Sequence, residues 1–125
     1  MEEELKKRIA ESTNRICKEY KTLTMLLSPF AGSNLVLQQY LSQVNSVLQY
    51  AEAHYQNPSS VDLAICKQRH DPARLLNEVE SRFNAQEQGF YQLYPNAQFK
   101  AQLRSHFDAT RDDFDILENC LSVIS

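Results

Sequence analysis

The side chains in this chain best suited to chemistry are three cysteines, three histidines and a run of aspartates. Cys66 and His70 stand four residues apart, so a helix there would place thiol and imidazole on one face. A thiol with an adjacent base is the minimum for a cysteine nucleophile. The pair lacks an orienting group, because Asp71 precedes Pro72 and that dipeptide reads as the cap and first residue of a helix. A buried structural thiol is the simpler reading of Cys66.

Metal ligation in helical proteins needs particular spacings. A di-iron bundle uses Glu-x-x-His pairs projecting inward. The residues three before His54, His70 and His106 are Ala51, Lys67 and Leu103, and those four after are Pro58, Arg74 and Thr110. Neither Glu-x-x-His nor a second ligand one turn later is present. There is no Cys-x-x-Cys pair for zinc. His106, Asp108 and Asp112 remain as a scattered set, and an acidic solvated face explains them more simply. Two glycines in 125 residues leave no Gly-rich phosphate loop. Lys67, Arg69, His70 and Arg74 form a small basic patch that could meet an acidic peptide or phosphate, with ordinary surface the simpler account. No catalytic residue, metal or cofactor is therefore expected, and the chain is read as a non-enzyme.

The elements that would position these residues are helices. Only two Gly and four Pro occur, which leaves long uninterrupted segments. Helix one is expected over residues 1–27, with Glu2, Glu3 and Glu4 in its first turn and a stripe of Leu5, Ile9, Ile16, Tyr20, Leu23 and Leu27. Ser12 and Thr13 make a polar gap in that stripe. The 28–33 stretch breaks the pattern with Pro29 and Gly32, Phe30 plugs the end of the core, and Ser33 or Asn34 caps the next helix. Helix two runs from about 35 to 56. Residues 61–69 are either a separate short helix capped by Ser59 or Ser60 or an extension of the next one. Helix three starts at Asp71-Pro72 and carries Leu76, Val79, Phe83, Gln86, Phe90 and Leu93. After a break at 94–96, helix four carries Phe99, then the seam Leu103, Phe107, Thr110, Phe114, Leu117, Leu121 and Ile124. Near-heptad seams and short connections predict an all-α, up-down-up-down four-helix bundle over 1–125, with 61–69 as a candidate fifth helix.

Composition bounds the function. The 42% apolar and 23% charged fractions are those of one globular domain. A net charge of −3 argues against a nucleic-acid protein that neutralises phosphates. No apolar run is long enough to span a membrane. The Glu- and Lys-rich start has no apolar signal region, and three widely spaced cysteines suit free thiols in a reducing, cytoplasmic setting.

The informative stretch is Thr22 to Val61, where Glu52 is the single formal charge. Helix two carries two stripes. The first is Leu37, Leu41, Val44, Leu48, Ala51 and Tyr55. The second, one residue earlier, is Val36, Tyr40, Gln43, Val47, Tyr50 and His54. Two stripes offset by about 100° double the usual apolar arc. The helix is then either enclosed by its own bundle or half exposed for a partner, and a groove for a small molecule is a further option with no convergent polar cluster to mark it. Tyrosine enrichment and charge depletion are features of interface cores. The leading expectation is a protein–protein interaction module (adaptor, small chaperone or complex subunit) using Val36, Tyr40, Val47, Tyr50 and His54 toward a partner or a second copy. The alternatives are a delivered effector-type helical domain, and a metal- or Cys-dependent enzyme.

Overall fold

In a computed structural model, residues 2–93 and 97–124 are described, with side chains at 33, 84, 86–93, 99, 103 and 107 outside that description. Five helices and no strand occur among the described residues: α1 Glu2–Leu27, α2 Leu35–Tyr55, α3 Leu63–Arg69, α4 Ala73–Leu93 and α5 Ala97–Ser122. The chain is an all-α helical bundle. The expected break at 94–96 lies outside the described residues, as do the side chains of Gln86, Phe90, Leu93, Phe99, Leu103 and Phe107.

The helices bury the faces that their spacing dictates. In α1, Ile9, Ile16, Tyr20, Leu23 and Leu27 are buried, and so are Ser12 and Thr13 in the polar gap. Arg15 reaches back to the Ser12 hydroxyl, while the Thr13 hydroxyl has no hydrogen-bond partner among the described residues. The first stripe of α2 is buried at all six positions. Leu76, Val79 and Phe83 of α4 and Thr110, Phe114, Leu117 and Leu121 of α5 complete the core.

Contacts between helices fix their register. Along α1, Asn14 donates to the Gln56 carbonyl at 2.9 Å and Lys21 pairs with Glu52. On the α5 side, Arg15 meets Asp113 at 2.7 Å and Glu19 meets His106 at 2.5 Å. In each pair of helices the partner's numbers fall as those of α1 rise. From α2 to α4 the pairs Tyr55–Asp71, Gln43–Arg82 and Tyr40–Phe83 follow the same rule.

Local signals are partly as expected and partly reassigned. Asn34 caps α2, its side chain accepting from the Leu37 amide at 3.1 Å. Residues 28–33 form a 3-10 turn with Pro29 in its first turn, and Phe30 is half-buried against the core. Residues 61–69 are not an extension of α4. The short helix is separate, begins at Leu63, and is capped by Asp62, which accepts from the Ala64 and Ile65 amides at 2.9 and 3.3 Å. Ser60 instead bonds Asn57 within a second 3-10 turn, Pro58–Ser60. Gly32 would permit a left-handed turn, but its φ is not positive. Among the described residues the left-handed conformation belongs to His70, with φ 56°, which ends α3.

Candidate functional site

The second stripe of α2 does not stay together. At Tyr40 the neighbouring helix α4 supplies Phe83, whose ring Tyr40 meets edge-on with centroids 5.4 Å apart and planes at 89°. Phe83 in turn stacks on Tyr20 of α1, at 5.3 Å and 10°. Three aromatic rings from three helices thus meet in one place, an arrangement worth more than its buried area alone. Burial raises the Tyr40 hydroxyl above its ordinary range, and the nearby Arg82 charge opposes that only in part. Val47 is half-buried against the same core.

The ends of the stripe face outward. Val36 is 74% exposed and Tyr50 39% exposed, and His54 is exposed as well. Tyr50 and His54 lie one turn apart with ring centroids at 4.2 Å and planes tilted by 45°. Val36 and Tyr50 are fourteen residues apart, about 21 Å along the axis.

Between those ends runs a polar surface without charge. Gln38, Gln39, Ser42, Asn45, Ser46 and Gln49 are all exposed. Two are tied down: Gln38 donates to the Ala31 carbonyl at 2.5 Å and Ser46 to the Ser42 carbonyl at 3.0 Å. Glu52, the one charge of α2, is drawn to Lys21 on α1. A shallow trough of about 470 Å³ crosses this face past Ala31, Gln38, Leu41, Asn45 and Gln49. Sequence patterning did not find Met25 and Leu35, which are 73% and 67% exposed and flank the 28–33 turn beside Val36. The only signal for them was that neither falls on a stripe.

The groups singled out for chemistry are arranged otherwise. Cys66 is fully buried, and burial, reinforced by the charges of Asp71 and Asp62, pushes its thiol up to about 11. That is the reverse of an activated nucleophile, whose thiolate must be favoured. His70 is exposed at the left-handed end of α3. Cys17 is likewise buried, with its thiol raised to about 12 by burial and then by Glu52.

Asp71 does more than end a loop. It is buried, accepts from the Tyr55 hydroxyl at 3.1 Å and pairs with Arg74 at 3.3 Å. The α4 amides at this start are taken by backbone carbonyls instead, Arg74 by His70 and Leu76 by Pro72. Burial and the adjacent Asp71 charge raise the Tyr55 hydroxyl. Arg74, assigned from sequence to a basic patch, is held by Asp71 and by the Arg69 carbonyl at 3.2 Å.

His106 turns toward α1 and Glu19, while Asp108 pairs along its own helix with Arg111 at 3.3 Å. The two are therefore not gathered around one point. Among the described residues no three His, Cys, Asp or Glu side chains are placed to share a metal ion. No helix among them is long and apolar enough to cross a membrane.

No protein-family model, curated protein or solved structure matches this chain. Its function has to be argued from its own surface.

Proposed function

We propose that the chain is a non-enzymatic protein–protein interaction module, an adaptor, small chaperone or complex subunit, that receives a partner protein on the outer face of α2. The observation that carries this is the absence of unpaired charge along the described face. From Leu35 to Asn57 every exposed side chain is apolar, amide, hydroxyl or imidazole, although charged residues make up 23% of the chain. Charge depletion, more than hydrophobicity, separates interface cores from ordinary surface. Val36 and Tyr50 supply apolar anchors at the two ends, and the amides between them supply hydrogen bonds that carry no cost of burying an ion. Tyr40 and Val47, half-buried against the core, support that face from below. Three free, buried thiols are compatible with work in a reducing compartment such as the cytoplasm.

The test is complex formation by the wild-type chain and by Val36→Glu/Tyr50→Glu, with helical circular dichroism as the control for folding. The double variant is expected to keep its fold and lose the complex.

A further inference from the structure

A second surface is built without any residue of α2. The first turns of α1, the exposed side of α3 and the two residues that follow α5 enclose a groove of about 940 Å³. Its apolar lining is Leu5, Leu63, Ala64, Val123 and Ile124. Leu5, Leu63 and Ile124 are half-buried against the core, whereas Val123 stands 68% exposed at the lip. An open apolar groove with a protruding apolar residue beside it marks a contact site.

We propose that a second copy of this chain docks here, about a two-fold axis running along the groove. The charges on the rim carry the choice of occupant. The α1 wall holds Glu2, Glu4 and Arg8, for a sum of −1, and the α3 wall holds Lys67, for a sum of +1. A two-fold interface presents the same patch from both sides. With its axis along the groove, the α1 wall of each copy lies on the α3 wall of the other. Glu4 is paired with Arg8 along α1 at 3.6 Å, so Glu2 is the carboxylate that meets Lys67 of the other copy, twice over, and each Val123 enters the apolar lining opposite. A small anionic ligand would meet the same two carboxylates at the mouth, and a small cation would meet Lys67 and Arg8. The mixed rim suits a partner that carries the complementary pattern, which this chain does. The surface is separate from the α2 face, and the inference does not rest on the function proposed for that face.

The experiment is native mass by light scattering over a roughly hundredfold concentration range, the span needed to see a mass-action equilibrium. The wild-type chain is expected to form a dimer. Lys67→Glu and Val123→Asp each act twice in a two-fold dimer, so each is expected to weaken it by about tenfold or more. Adding Glu2→Lys to Lys67→Glu restores opposite signs and is expected to recover the dimer. All these positions are exposed, and circular dichroism checks that the fold is intact. A wild-type chain that stays monomeric overturns the proposal and leaves the groove to another occupant. A dimer indifferent to both single substitutions overturns it too. A dimer lost only in Val36→Glu/Tyr50→Glu would move self-association to α2.

Discussion

The Tyr40 ring meets the Phe83 ring edge-on, with centroids 5.4 Å apart and planes at 89°. This contact divides α2. On one side of it the helix is committed to the core, and on the other it offers Val36, Tyr50 and His54 to whatever approaches.

Substitutions at the two kinds of position should therefore separate cleanly. Tyr40→Ala removes a half-buried aromatic and is expected to cost about 2–3 kcal/mol, below the loss from a fully enclosed ring. Val36→Glu and Tyr50→Glu change exposed positions and are expected to stay within about 0.5 kcal/mol of the parent. Urea denaturation at constant m-value gives both numbers. Equal destabilisation by Tyr40→Ala and Tyr50→Glu would mean that the stripe is one surface after all.

Cys66 should be slow. With its thiol raised to about 11, almost none is thiolate at neutral pH, and its sulfur is also shielded. A disulfide reagent is expected to modify native Cys66 far more slowly than free cysteine and to reach it at the free rate only in denaturant. A native rate above that of free cysteine would revive the nucleophile.

The left-handed conformation of His70 predicts a stabilising substitution. A residue with a β-carbon pays about 1–2 kcal/mol for that region, and glycine does not. At this exposed position ending α3, His70→Gly is expected to gain about 1 kcal/mol in spite of glycine's larger entropy loss. A fall in the thermal midpoint would show that the imidazole makes a contact that matters.

Glu80 gives the chain a pH dependence of unusual sign. Burial raises its carboxyl above the ordinary 4.5, with Arg111 pulling it down and Glu118 pushing it up. Between 4.5 and the raised value, the folded chain holds more proton at this site than the unfolded chain does. Stability from this group is therefore lost as pH rises through that window. Glu80→Gln is expected to flatten the profile there and to be at least as stable as the parent at neutral pH. Superimposable urea midpoints from acid to neutral pH would remove Glu80 as the cause.

Much of this fold could be read from spacing. The buried first stripe of α2, the α1 stripe and the described part of the α5 seam are heptad patterns whose apolar residues had one place to go. Caps were harder. Asp62, not Ser59 or Ser60, starts α3, because several short polar side chains in a row can each serve and only the chain's path chooses among them. Asp71 looked like a cap, but the hydroxyl of Tyr55, sixteen residues back in the chain, claims its carboxylate, which no local pattern encodes. The candidate surface was half legible. Charge depletion along α2 is visible in the letters, whereas the separation of Tyr40 and Val47 from Val36, Tyr50 and His54 depends on where α4 brings Phe83. The groove between α1, α3 and α5 joins residues from both ends of the chain, so periodicity within any one helix carries no trace of it.

The most direct measurement is isolation of the complex from the native source with wild-type and Val36→Glu/Tyr50→Glu chains, read as mass and stoichiometry by native mass spectrometry, with amide exchange across 35–57 in the complex. A stoichiometric complex with a protein partner and slowed exchange along α2 are expected, with both lost in the double variant while its helicity is unchanged. A complex of the same mass that forms equally well with the double variant, and leaves α2 exchange untouched, would contradict a partner-binding role for α2.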